Sequence, residues 1–372
     1  MSEDAADETE AADEAESDRD AAEGGTEISG AGEAVPIGVK LGSTRTVISV
    51  PGARGAEDEI IKTLTCLATY EDALSGSERV VYGEQAAEEY PDRVQYMLRS
   101  GLPEDDDRAD LAGTFFRELV KNQKIPADSA VVYAIPTIDN EAGLDNLAEV
   151  IEGSGIGDEL VRSFPESLCG AIPAFGDDLE AIDEIFLALN LGSTNLEACA
   201  YRHGELMSPF STGAVTGNET DRQIANMIEE ETQGRVNVDV ETARGYKEEH
   251  ADFDDFEAFT DVIQQPGGGA HEFTIERSVM DPLDGYLDDV VDEVANNFLA
   301  ELANDHMKVY QLALGRPIAV TGGMACIPGI VDELEDRLGE ELQRDVDLVA
   351  PDRPDLAAAE GAQRIAERLT DD

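Results

Sequence analysis

The tetrapeptide Leu-Gly-Ser-Thr occurs twice in this chain, at 41–44 and again at 191–194. Each copy follows a short apolar run, "IGVK" in one case and "LALN" in the other, and each precedes a second stretch of strand character, "RTVISV" and "LEACAYR". Both therefore read as strand, tight turn, strand. One such turn says little, because turns are rich in Gly, Ser and Thr. Two of them, about 150 residues apart and each opening an α/β stretch, point to a tandem duplication. The position just before the tetrapeptide is not repeated: it is Lys40 in the first copy and Asn190 in the second.

The rest of the pattern follows the same plan. After the first turn come one further β segment near 60–70 and a short strand running into a helical stretch, "ERVVYGEQAAEEYPDRVQYML". Next are the helix "DRADLAGTFFRELVKNQ", the buried strand "SAVVYAIPT" and the amphipathic helix "NEAGLDNLAEVIEGSG". After the second turn come helices in "ETDRQIANMIEEETQG" and "VDVETARGYKEEHA", a Gly-rich loop in "QQPGGGA" leading into a strand, and one long helix, "LDGYLDDVVDEVANNFLAELANDH". Then follow strand, Gly-rich turn and helix in "RPIAVTGGMACIPGIVDELEDRLG", and a last helix in "DLAAAEGAQRIAERL". The expected organisation is an acidic tail over 1–34, one α/β domain over 35–170, a second over 171–350, and a C-terminal helix over 351–372 that returns to the first.

Composition limits the partners. The chain has 372 residues and a net charge of −57, with 83 acids against 26 bases, of which only six are Lys. The acid excess runs through the whole sequence. Such a surface repels itself in dilute buffer, and at molar salt the Debye length falls to roughly 3 Å and screens it. A cytoplasmic protein of a salt-accumulating cell is the economical reading. Nucleic acid and anionic lipid are disfavoured, since phosphate surfaces are read by clustered Lys and Arg. The first 34 residues hold thirteen acids and a single Arg. They cannot bury enough apolar surface to offset their ordering entropy and read as a disordered, solvating tail, with a regulatory role as the alternative.

No signal-peptide pattern and no apolar run of about 18 residues is present, so no membrane insertion is expected. Cys66, Cys169, Cys199 and Cys326 show no CxxC spacing and read as small buried residues. The four His, at 203, 250, 271 and 306, are scattered, and no metal-ligand set is expected.

The chemistry expected of the two turns is phosphate binding. Gly lets the backbone approach closely, and backbone N–H groups with Ser and Thr hydroxyls supply donors. Two such hairpins facing each other would clamp a polyphosphate. "VTGGMACIPG", a strand running into a double-Gly turn ahead of a helix, suits close packing against a base or ribose. Each motif alone reads as an ordinary turn; the three in this order do not.

In these motifs the chain resembles the actin superfamily, which includes the bacterial rod-shape actin MreB and the DnaK-type chaperones. "PIGVKLGSTRTVISV" resembles its first phosphate motif and "LALNLGSTNLEACAYRHGEL" its second, while "IAVTGGMACIPGIVDEL" resembles the adenosine motif. "PESLCGAIPAFG" resembles the segment connecting the halves, and "PDLAAAEGAQRIA" the second connecting helix. "GELMSPFSTGAVTGNETDRQIANMI" and "ETARGYKEEH" resemble the nucleotide-side helices of MreB. The resemblance runs in order from about Val35 to Leu369, and it is nearer to MreB, and to a haloarchaeal actin homologue, than to the chaperones. It implies a duplicated actin-like (ribonuclease-H-like) α/β fold with two domains around a nucleotide cleft.

The resemblance further implies ATP and Mg²⁺ as cofactors. It assigns Gly42, Ser43, Thr44 and Arg45 to the first phosphate loop and Gly192, Ser193, Thr194 and Asn195 to the second. Gly217, Lys247 and Glu248 fall near ribose and base, and Gly322, Gly323 and Met324 on the adenine side. The family normally has Asp just before each loop to hold hydrated Mg²⁺. Lys40 and Asn190 stand there instead, which puts fast hydrolysis in doubt. Lys40 either touches phosphate and partly replaces the metal's charge, or blocks the metal position in a chain that binds nucleotide slowly or not at all. Hydrolysis through other carboxylates is a third reading. Glu141 and Asp145, near the start of the helix after "VVYAIP", are the nearest candidates for the catalytic carboxylate, and Glu141 is the one expected, although Gly143 sits where MreB-like chains carry their Glu and an acid at a helix N-terminus is also favoured by the helix dipole alone. Glu197 matches an acidic family position or is a strand-surface charge. The implied function is an ATP-dependent filament, with the chain itself as principal partner and cell-shape or division proteins as further ones. The alternative is a non-polymerising nucleotide-gated adaptor or chaperone-like ATPase.

Overall fold

The computed structural model describes residues 34–52, 57–177, 179–264 and 270–371. The acidic stretch up to residue 33, expected to be disordered, and the Gly-rich loop over 266–269 lie outside the described residues.

The first half begins with β1 (Val35–Leu41), β2 (Arg45–Val50), β3 (Glu59–Leu64), β4 (Cys66–Glu71), β5 (Glu78–Tyr82), α1 (Gly83–Glu89) and the two-residue β6 (Gln95–Tyr96). It continues through α2 (Asp106–Gln123), β7 (Ser129–Ile135), α3 (Glu141–Glu152), β8 (Leu160–Pro165) and α4 (Glu166–Ala174). The second half runs β9 (Ile185–Leu191), β10 (Leu196–Arg202), β11 (Glu205–Thr212), α5 (Gly217–Glu231), α6 (Val240–His250), β12 (Phe259–Gln264) and β13 (Ala270–Ile275). Then come α7 (Met280–Asp292), α8 (Ala300–Asp305), α9 (Met307–Ala313), β14 (Ile318–Thr321), α10 (Ile330–Leu342), β15 (Leu348–Val349) and α11 (Ala357–Asp371). The long helix expected over 283–306 is not uniform: a π-helical segment, Glu293–Leu299, joins α7 to α8. Nothing in its residues marks it, since it holds neither Pro nor Gly.

The duplication is visible in the strand orders. One five-stranded sheet runs β3-β2-β1-β7-β8 and the other β11-β10-β9-β14-β15. In each, a three-strand antiparallel meander continues into two parallel strands. Registers match as well: Lys40 pairs with Ala134 on the parallel neighbour, and Asn190 with Thr321. Both pre-loop residues thus sit at the carboxyl ends of parallel strands, the edge at which open α/β sheets bind ligands.

The period of two then decides where those residues point. On β1, Ile37, Val39 and Leu41 join Phe115, Phe116, Leu119, Leu147 and Ile151 in a core with α2 and α3. On β9, Leu187, Leu189 and Leu191 join Ile224, Leu283 and Leu334 in a second core with α5, α7 and α10. The opposite faces turn toward α4 and α11. Val132 and Ala134 of β7 pack with Cys169 and Ile172 of α4 and Ala358 and Ala362 of α11. Phe186 and Ala188 of β9 pack with Leu168 and Ala171 of α4. α4 therefore has a sheet on each side. It crosses α11 at a glycine: a Cβ on Gly361 would stand 1.8 Å from the Cys169 carbonyl oxygen. Among the described residues no helix is long and apolar enough to cross a membrane.

Candidate functional site

The two Leu-Gly-Ser-Thr turns are the same object. In each, the glycine N–H donates to the carbonyl three residues on, Gly42 to Arg45 at 3.1 Å and Gly192 to Asn195 at 3.0 Å. A Cβ on either glycine would stand 2.6 Å from that carbonyl oxygen, so the turn admits no side chain at these positions. The turns face each other across the molecule and pair reciprocally. The Ser43 and Thr194 hydroxyls share a hydrogen bond at 3.2 Å, and the Thr44 hydroxyl donates to Ser193 Oγ at 3.0 Å. The N–H of Gly101 also donates to Ser43 Oγ, at 2.7 Å. Helix α5 starts against the second turn: the N–H groups of Gly217 and Asn218 donate to the carbonyls of Gly192 and Ser193.

Beside the turns opens a cleft of about 370 Å³, within the range of small-molecule sites. Of the expected residues it is lined by Lys40, Gly42, Ser43, Thr44, Arg45, Gly192, Ser193, Gly217, Lys247, Glu248, Gly323 and Met324. Thr194 stands behind the second turn against Ser43. Asn195 turns its side chain to Glu197. Gly322, at φ +98°, packs its backbone against the Leu191 carbonyl and the Asn190 side chain. Glu141 is not among the cleft-lining residues. It is exposed on the first turn of α3, where Gly143 packs against Leu102 behind the first loop.

Four cleft residues carry charges to which sequence reasoning assigned no role: Lys62, Asp221, Arg244 and Asp355. Lys62 pairs with Asp355 at 2.5 Å. Asp221, itself buried, takes Lys247 Nζ on one oxygen at 2.5 Å and Arg244 Nε on the other at 3.0 Å. Burial lowers the proton affinity of Lys247, against the pull of Asp221. Arg45 reaches across the cleft to Glu248 as a bidentate pair at 2.7 and 2.8 Å. Cys326 also lines the cleft; it is exposed, with Sγ 3.4 Å from Asp355, in contrast to the three buried cysteines. The signal that was available in the sequence is the scarcity of Lys. Three of the six lysines, Lys40, Lys62 and Lys247, line this one cleft.

The two pre-loop positions meet at one carboxylate. Glu166, the first residue of α4, accepts from Lys40 Nζ at 2.5 Å and from Asn190 Nδ2 at 2.9 Å, both on Oε1. Burial opposes the charge on Lys40, but Glu166 more than offsets it and the ammonium's pKa is raised. Glu197 is fully buried on β10, which rules out the strand-surface reading. Its Oε1 accepts from the Thr137 N–H at 2.9 Å and from Asn195 Nδ2 at 2.7 Å. Its Oε2 has no hydrogen-bond partner among the described residues. Burial, then the negative Glu166, push its pKa up to about 8.

Twin sheets of the same order, twin loops facing each other and a cleft between them define the actin-like class of folds. Solved structures agree. The chain superposes on MreB5 of Spiroplasma citri bound to ADP with a TM-score of 0.71, at 18% identity over 91% of this chain and 97% of that one. A MamK double helical filament gives a TM-score of 0.71, at 17% identity over 89% and 98%. The family model for Salactin matches residues 34–370. Salactin of Halobacterium salinarum is 62% identical over 336 residues, 90% of this chain and 92% of that protein. The chain belongs to the Salactin family.

Proposed function

We propose that this chain binds ATP in the cleft and assembles with copies of itself into nucleotide-dependent filaments in a high-salt cytoplasm. The observation that carries the nucleotide is electrostatic. A chain of net charge −57 that keeps only six lysines places three of them, with Arg45 and Arg244, in a cleft lined by only three acids, Asp221, Glu248 and Asp355. Among the described residues each of these five bases has an acidic partner, so bases match acids here, whereas acids outnumber bases about threefold over the chain; this cleft repels a polyphosphate far less than the rest of the surface does.

The residues present fit such a ligand. The Ser43, Thr44 and Ser193 hydroxyls, which line the cleft, would exchange their present hydrogen bonds for phosphate oxygens. Met324, Gly323, Ile327 and Pro328 give a base an apolar wall, with Lys247 and Glu248 at the ribose side. Arg45 and Glu248 belong to opposite lobes, so a ligand that engages both loops also governs closure. Filament formation is inferred from the family and from the likeness to MamK, whose structure is a double helical filament. An actin-like subunit stacking head-to-tail needs no further domain. Cell-shape or division proteins are the further partners to look for.

The test is sedimentation in about molar KCl, where the charge is screened, with ATP, ADP or no nucleotide, while phosphate release is followed. A pellet that requires ATP is the expected result. ATP binding without a pellet under any condition would remove the filament and leave a nucleotide-gated adaptor.

A further inference from the structure

We infer that Lys40 takes the place of the divalent cation at this site, so that the chain binds nucleoside triphosphate through a built-in ammonium and without dependence on Mg²⁺. The inference rests on the nucleotide reading above and concerns how that ligand's charge is met.

A divalent cation beside two phosphate loops needs oxygen ligands from the protein, directly or through water. The two positions that flank the loops from below supply an ammonium and an amide. The Lys40 side chain lies along the first loop, its Cε 3.5 Å from where a Gly42 Cβ would stand, and it lines the cleft. A dication there would be repelled by a fixed positive charge that is only 15% exposed. The carboxylates close by each have one oxygen engaged within the protein. Glu166 Oε1 already accepts from both Lys40 and Asn190. Glu197 Oε1 accepts from Thr137 and Asn195, and its burial beside Glu166 favours the protonated form. The residues therefore do not fit Mg²⁺ in the way the actin resemblance implies.

They do fit a lysine in its stead. An ammonium is a compact point charge with three donors. Lys40 gives one of them to Glu166, which leaves two for phosphate oxygens. Glu166 fixes the ammonium at the junction of the two lobes, since it is the first residue of the helix that both sheets pack against. Asn190 completes the arrangement: an Asp there would place a second carboxylate on Glu166, whereas the amide donates to it.

The test compares binding of a fluorescent ATP analogue in about molar KCl with excess Mg²⁺ and with excess EDTA. Affinities within about threefold of each other are expected for the natural chain. Lys40→Met is expected to lose about tenfold or more in both solutions, equivalent to one phosphate-directed charge. Lys40→Asp in a Glu166→Gln background returns a carboxylate without a like-charged neighbour, and its binding is expected to become Mg²⁺-dependent. If the variants fail to fold, the natural chain alone decides. Binding that disappears in EDTA overturns the inference and leaves the nucleotide reading standing. Binding in neither solution removes the nucleotide reading, and the inference with it.

Discussion

At the scale of the residue, Glu141 and Glu166 make the instructive pair. Each is the first residue of a helix, where an acid is favoured by the helix dipole whatever its function. Local sequence gives both the same reading. α3 presents Glu141 to solvent, while α4 lies between the sheets and delivers Glu166 to Lys40 and Asn190. Docking of the helix, which no local pattern encodes, separates the two. Glu197 carries a consequence for pH. Its carboxyl is raised from an ordinary 4.5 to about 8 by burial and by Glu166. The folded chain thus keeps a proton that the unfolded chain releases. The stability this supplies is complete below about pH 4.5 and is lost as pH rises to about 8. Glu197→Gln cannot titrate and retains an acceptor for the Thr137 N–H. Melting temperatures from about pH 5 to pH 9 should fall less steeply for that variant than for the natural chain; parallel curves would mean that Glu197 is ionised throughout.

At the scale of the element, α4 and α11 unite the two halves. The apolar spacing of "DLAAAEGAQRIAERL" makes α11 legible as a helix, and its small residues are legible as a flat face. That the face meets the α4 backbone at Gly361 is decided by the crossing. Gly361→Ala improves helix propensity by about 1 kcal/mol. It also drives a methyl group to 1.8 Å from a backbone oxygen, which neither helix can yield without parting. The clash should win, with a net loss of roughly 1–3 kcal/mol, read as a lower denaturant midpoint with m unchanged. A stabilised variant would mean that the crossing is loose. Among the strands that sequence reading passed over, β6, β8, β11, β12 and β15, two explain themselves. β15 is two residues long, and β8 carries no alternating pattern, being half-buried or exposed along its length.

At the scale of the whole molecule, net charge and salt dominate. Self-repulsion at −57 acts against any compact state and is screened only over distances longer than the Debye length, about 10 Å at 0.1 M and 3 Å at 1 M. The Arg45–Glu248 bridge has side chains 32% and 43% exposed, and an exposed pair of this kind contributes about 0–1 kcal/mol that salt weakens. Repulsion spread over the entire surface outweighs such pairs. The melting temperature should therefore rise steadily with KCl, followed by circular dichroism from dilute buffer to molar salt. A fall with added salt would show that cross-cleft and surface pairs hold the protein together instead.

The order of amino acids alone was enough for the duplication, the two Leu-Gly-Ser-Thr turns, the double-Gly turn and the positions at which Lys40 and Asn190 depart from the pattern that the actin resemblance implies. These are local matters: a tight turn needs its glycine, a strand its period of two, a helix its apolar stripe, and each is written within a few consecutive residues. What those departures mean came from packing. Lys40 and Asn190 are about 150 residues apart in the chain and share one carboxylate oxygen because two sheets of equal order turn their inner faces to a common helix. The same closure brings Lys62 and Lys247 to one cleft and buries Glu197 beside a second negative charge. Such properties belong to pairs and fields of charges, and they exist only once the chain has placed distant residues side by side.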